Sequence, residues 1–398
     1  MKQKKQIFIS IVFIGILLIC HNLVIGQDSL DITHGPYLLE PGENSITVVW
    51  FTSKKCVSWV EYGTGENLQS FPTYGSVVQT AVSSRHGLID AYTNAHKIRI
   101  DGLESGQKYR YRLFSKEIVQ FKPYEVTFGG SIASGVYQFE TLDTKKAAFS
   151  FGVVTDIHGS SARLDTLLQT FSWNGIDMMF YAGDCLDWFE DEKQIFEGFL
   201  DVSVDRFAKE IPLIYVRGNH ETRGNFARNL MDYFPHSSGR FYYSFDHGPV
   251  HFIILDSGED KPDSHAVYAG LVDFDRYRDE QAAWLKEDIQ SESFKKALYK
   301  VVFSHMPPDE DSRGYGEQYL GKVWTPILNE ADIDLLLCGH KHRFSRIEPI
   351  EGKNKYPILI LGRDMIIKAD VSQERISGVI TRSNGDVLDR FSILPKNK

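Results

Sequence analysis

Two folded units in series are predicted: an all-β sandwich over residues 29–142, then an α/β unit of layered mixed sheets over 147–398. Three observations predict them. Residues 29–142 carry short alternating runs broken by Gly and Pro turns, without helical periodicity. Beyond a polar linker at 143–147, apolar strand-like runs alternate with runs of helical spacing. In that second stretch, one apolar run after another ends in Asp, His or Asn, residue types that hold metals and move protons.

Residues 1–26 stand outside both units. Lys2, Lys4 and Lys5 precede an apolar run from Ile7 to Cys20, and Val24-Ile25-Gly26 offers a cut that leaves Gln27 first. This is the pattern of a secretory signal peptide, with an apolar core too short for a membrane anchor. Export is therefore expected, to a periplasm, a cell surface or the medium, with no transmembrane span in the mature chain. Removing the leader's three lysines takes the net charge from −9 to −12. So acidic a chain, with no long basic run, is a poor nucleic-acid binder. Cys56, Cys185 and Cys338 remain, an odd set and no disulfide framework. They read as buried thiols, with a Cys185–Cys338 bond as the alternative.

Within the first unit, the runs from Ser45 to Phe51 and from Val57 to Tyr62 read as separate strands, and His96 to Ile100 alternates. Tyr109 and Tyr111 then enter a strand behind a turn at Gly106, in the manner of a tyrosine corner. No catalytic cluster is visible here; His86 and His96 read as surface or packing residues.

In the second unit, strands are expected over 149–155, 176–182, 211–216, 241–245, 250–255, 299–304, 333–337 and 356–361. A hairpin follows about Ser383-Asn384-Gly385-Asp386. Helices are expected behind Ser160 or Ser161, over 190–210 and 225–233, and from Asp279 onward. Polar loops over 257–275 and 306–320 are where substrate specificity is expected to lie.

Asp156-Ile157-His158, Gly183-Asp184, Arg217-Gly218-Asn219-His220-Glu221, His305 and Gly339-His340-Lys341-His342 follow those runs in order. Asp156, His158, Asp184, Asn219, His305, His340 and His342 supply carboxylate, amide and imidazole donors in the number two divalent ions need. Asp184 is the natural bridge. His220, beside Asn219, is placed to donate a proton, and Glu221 to hold its ring in one tautomer. Arg223, Arg240, Tyr243, His265, Tyr268 and Tyr315 could line a substrate pocket. His247 and His251 fit no block.

These blocks resemble the calcineurin-like metallophosphoesterase superfamily over most of residues 149–365. The resemblance implies an αββα sandwich with its site at the strand ends. It assigns Asp156, His158, Asp184 and His342 to one metal, Asp184, Asn219, His305 and His340 to the other, and His220 to proton donation. A fibronectin-III-like module in front resembles the architecture of purple acid phosphatases. The first motif differs from theirs: His158 stands where they carry Gly, and Asp187 where they carry the iron-binding Tyr. Two divalent ions (Mn, Zn or Fe) are therefore expected. The block beginning at Arg217 is also similar to that of protein phosphatases, which makes Arg217 a candidate phosphate grip beside Asn219 and His220. Trp188 replaces the second Arg of those enzymes.

The resulting expectation is an exported dinuclear phosphoesterase that acts by attack of metal-bound hydroxide. Catalysis is assigned to Asp184, His220 and Glu221, and a phosphorylated small molecule or exported phosphoester is the favoured substrate. The alternatives are a phosphodiesterase, and a glycan- or protein-binding module with an inactive phosphoesterase domain.

Overall fold

The computed structural model describes residues 29–64 and 78–396. The expected leader at 1–26 lies outside them. Among the described residues, no helix is long and apolar enough to cross a membrane.

The N-terminal unit is all-β, as its alternating sequence demands, but the runs read as two strands around Trp50 and Trp59 form one, Ser45–Gly63. Its first half pairs with Ile32–Leu39 and Ala91–Asp101; its second pairs with Lys108–Lys122 and Gln79–Ala81. Register shifts between Phe51 and Val57 mark the bend at which the strand passes from one set of partners to the other. Trp50, Ile98, Tyr111, Leu113 and Phe139 fill the interior. The tyrosine corner is present: the Glu104 N–H donates to the Tyr109 hydroxyl at 2.9 Å. His96 is buried against Thr52.

The second unit has two six-stranded sheets. One orders Leu213–Tyr215, Ile176–Tyr181, Phe149–Val154, Met365–Val371, Ile376–Arg382 and Val387–Ile393. The other orders Tyr243–His247, Val250–Leu255, Tyr299–Ser304, Leu335–Cys338, Ile358–Ile360 and Ser345–Ile347. Phe151, Phe180, Phe252, Phe303 and Leu337 pack between the sheets, with the Phe180 and Phe303 rings stacked 4.0 Å apart. Helix Ser161–Thr170 and the mixed α/π run from Lys193 to Ala208 cover one outer face; Phe274–Asp288, Tyr315–Val323 and Thr325–Glu330 cover the other. The four layers are those of the expected αββα sandwich.

Neighbouring strands that carry the motifs run parallel within each sheet. Their carboxyl ends therefore share one edge, where open α/β sheets place ligands. Strand Met365–Val371, antiparallel to Phe149–Val154, was not expected. Its apolar run is interrupted by Lys368, which reaches the Asn174 carbonyl, and Asp370, which accepts from Ser150. Cys185 and Cys338 are both buried and unbonded, which removes the disulfide alternative.

Candidate metal centre

Each ligand block leaves the end of a buried strand on a sharply turned backbone. Asp156, His158, Asp184, His340 and His342 all sit at positive φ, between +51° and +72°. Non-glycine residues avoid that region, and its concentration on one edge marks backbone held against its preference by the surrounding fold. Gly218 is needed for another reason: a Cβ there would press into the backbone and carboxylate of Asp184 and into Glu221.

The side chains converge as two groups sharing one acid. Asp156, His158, Asp184 and His342 offer ligand atoms within 4.8 Å of one another, and so do Asp184, His305 and His340. His342 Nε2 lies 3.2 Å from Asp156 Oδ1, and His158 Nε2 3.7 Å from the same oxygen. Asp184 Oδ2 lies 2.9 Å from His305 Nε2 and 3.9 Å from His158 Nε2, so a single oxygen faces both groups. Asn219 Oδ1 completes the second, 3.2 Å from His340 Nδ1.

The polar accounting shows that cations fit. Asp156 Oδ1, Asp184 Oδ2 and His305 Nε2 are buried without a hydrogen-bond partner. Buried polar atoms rarely stay unpaired, and these three belong to residues of the two ligand groups. The opposite edges are held: Asp156 Oδ2 accepts from Thr155 and the His340 N–H, and Asp184 Oδ1 from the His220 N–H. Three of the histidines are also oriented from behind. His305 Nδ1 donates to the Ala182 carbonyl at 2.8 Å, and His158 Nδ1 meets Asp187 at 2.7 Å. His340 Nε2 lies 3.2 Å from Glu317. Partners of this kind fix the tautomer that a metal ligand needs.

The charge balance says the same. Burial lowers the pKa of His305, but Asp184 and Asp156 outweigh it and push it up to about 10. Burial raises Asp156, yet His158 and His342 hold it well below the usual carboxylate range. Asp156 and Asp184 thus stabilise positive charge at the centre.

Two sequence expectations are corrected. Glu221 does not touch the His220 ring. It is buried and accepts backbone N–H groups from Asp184, Leu186 and Gly218, strapping two ligand loops together. The ring is held by Asp187, whose carbonyl lies 2.8 Å from His220 Nδ1. Arg217 does not present a free guanidinium to the centre either. It pairs with buried Asp256 at 2.6 Å beneath the Phe241 ring. Arg223 takes the nearer place, with Nη1 3.0 Å from His220 Nε2.

Of the other pocket candidates, Tyr268 buttresses Glu259, Tyr315 binds Asp275, Tyr243 stacks on His236, Arg240 lies over Tyr242, and His265 caps a short turn. Glu317 and Arg363 were overlooked. Glu317 falls in the stretch 306–320, expected as a polar loop; the second part of that stretch instead enters helix Tyr315–Val323, with Glu317 on the buried face. Arg363 follows the buried run at 356–361, the rule that found the ligands, and its Nη2 lies 3.1 Å from His342 Nε2.

Known protein families match both units. The calcineurin-like phosphoesterase family matches residues 149–344, and the purple acid phosphatase N-terminal domain matches 37–141. The chain is 25% identical over 323 residues to purple acid phosphatase 21 of Arabidopsis thaliana, covering 75% of this chain and 65% of that protein. It is 25% identical over 339 residues to acid phosphatase type 7 of Danio rerio, covering 78% and 70%. It thus spans about two thirds of the length of these relatives. A purple acid phosphatase from yellow lupin (Lupinus luteus) seeds shares the fold, with a TM-score of 0.67 at 16% identity, over 90% of this chain and 74% of that one.

Proposed function

Because this chain belongs to the calcineurin-like metallophosphoesterases and carries a purple acid phosphatase N-terminal domain, we propose that it is an exported hydrolase of phosphate monoesters. The observation that carries the reading is the convergence of the unpaired atoms Asp156 Oδ1, Asp184 Oδ2 and His305 Nε2 on one edge, with Asp184 common to both ligand groups. Asp156, His158, Asp184 and His342 would hold one divalent ion, and Asp184, Asn219, His305 and His340 the other. Bound together, two such ions neutralise developing charge on a phosphoryl group and acidify water.

The protein's own groups supply position and protons. Asp184 presents Oδ2 to both groups, while the His220 N–H fixes its other oxygen. His220 donates a proton from Nε2 to the leaving oxygen. Its Nδ1–H stays on the Asp187 carbonyl, so the ring keeps its orientation as the proton departs. Glu221 keeps the Asp184 and Gly218 loops in register. Export is read from residues 1–26, and specificity from the segments over 257–275 and 306–320, the second of which enters helix Tyr315–Val323.

Metal analysis together with turnover of p-nitrophenyl phosphate and its bis-ester tests this. Two divalent ions per chain and faster monoester turnover are expected. Faster bis-ester turnover would make the enzyme a phosphodiesterase, and bound metal without turnover a binding protein.

A further inference from the structure

Two arginines flank the metal centre from opposite ends. The His158 ring lies 4.8 Å from that of His220 and 4.9 Å from that of His342, centroid to centroid. Arg223 Nη1 meets His220 Nε2 at 3.0 Å, and Arg363 Nη2 meets His342 Nε2 at 3.1 Å. The two come from separate elements. Arg223 ends the turn His220–Thr222, and Arg363 follows strand Ile358–Ile360.

Both are placed by the fold. Arg223 is gripped by Glu259 through Nε at 2.9 Å and Nη2 at 3.0 Å. Glu259 is itself buried and further held by Thr222 and Tyr268. That bidentate grip leaves Nη1 aimed at His220. Arg363 is brought in by Gly362, which lies so close to the Arg343 backbone that a Cβ would come within 3.0 Å of it. Arg363 Nε is buried without a hydrogen-bond partner. Its Nη2 rests on His342 Nε2, the atom assigned above to a cation. A cation on that nitrogen removes its lone pair, and the guanidinium then faces another positive charge. A cation and a guanidinium on adjoining positions are mutually stabilised only by an anion between them.

We propose that Arg223 and Arg363 are the two arms of a phosphate clamp, taking the non-bridging oxygens of a phosphomonoester dianion across the centre. The assignment rests on the monoesterase reading above and replaces Arg217 as the phosphate grip. Guanidinium suits it because its planar fork matches phosphate oxygens. A monoester offers three non-bridging oxygens and two negative charges; a diester offers two and one. The clamp therefore favours the monoester.

The test is titration of metal-loaded protein with inorganic phosphate by calorimetry, alongside monoester and bis-ester kinetics. Arg363→Gln should keep both metals and weaken phosphate binding by about 10–100-fold, the loss of a charge-assisted hydrogen bond. Monoester kcat/KM should fall by a similar factor, and bis-ester kcat/KM by much less. Arg223→Gln leaves Glu259 buried and unpaired, so Arg223→Lys and the double change Arg223→Gln/Glu259→Gln serve as its folded counterparts, each with the same selective loss. Unchanged phosphate affinity in the Arg363 variant, or equal losses on both esters, would overturn the clamp. A wild type that prefers the bis-ester would instead overturn the monoesterase reading, and the phosphate titration would still decide the arginines.

Discussion

At the scale of single residues, His220 and Glu221 are neighbours with different tasks. His220 is partly exposed at the edge of the cluster, its Nε2 3.8 Å from Asp184 Oδ2. His220→Ala should lower kcat by about 10²–10⁴-fold and leave metal content unchanged. The loss should shrink as the leaving group becomes a better one, because such groups depart without a proton. A loss independent of leaving group would remove the donor role. Glu221 is fully buried, and Glu221→Gln swaps a carboxylate that accepts backbone N–H groups for an amide that fits only part of them. A cost of about 1–3 kcal/mol is expected, seen as a lower melting temperature and weaker metal retention. The remaining turnover should keep the wild-type dependence on leaving group; a changed dependence would return Glu221 to the proton-transfer machinery. Both roles are hard to read in one dimension. The ligands were legible because each directly follows a buried apolar run. Where Glu221 and Arg217 point depends on Leu186 and Asp256, whose proximity only the fold creates.

At the scale of elements, strands Val250–Leu255 and Tyr299–Ser304 were legible to the residue, since both are continuous apolar runs buried on two faces. The partner of their hairpin was not. His251 fits no motif, yet it is buried between Asp246 at 2.6 Å and Asp288 at 3.1 Å, pinning the hairpin to the end of helix Phe274–Asp288. Burial lowers its pKa, but the two carboxylates outweigh that and push it up to about 9. The folded value thus stands above the unfolded value of about 6.5. The pair's stabilisation is fully present below about pH 6.5 and is lost as pH rises towards 9. The amount is on the order of 3 kcal/mol. Thermal unfolding should show a melting temperature that declines over this interval. His251→Gln should melt lower at neutral pH and show a flatter profile; a parallel decline in the variant would place the titrating group elsewhere.

At the scale of the whole molecule, the sequence separates the units cleanly at residues 143–147, but their packing does not. Tyr37, Leu39, Val49 and Phe51 of the first unit share one core with Phe196, Phe199, Tyr233 and Phe234 of the second. The His34 ring stacks 3.7 Å from Phe196. The Tyr37 hydroxyl donates to the Tyr233 carbonyl, and that of Tyr111 to the Lys209 carbonyl. Alternation along Ser45–Gly63 showed that one face would be buried, and could not show that part of it is buried against another unit. The consequence is a division of labour. No candidate ligand comes from the described residues of 29–142, while the outer helical layer behind strands Ile176–Tyr181 and Leu213–Tyr215 is completed by that unit. A chain beginning at residue 147 would expose this aromatic surface at roughly 25 cal/mol per Å² of apolar area. It should therefore melt lower and aggregate more readily than the full chain. Metal stoichiometry and the monoester-to-bis-ester ratio should be retained in the fraction that stays folded. If the ratio changes while both metals remain, the N-terminal unit reaches the substrate; if the shortened chain melts like the full one, the shared core contributes nothing to stability.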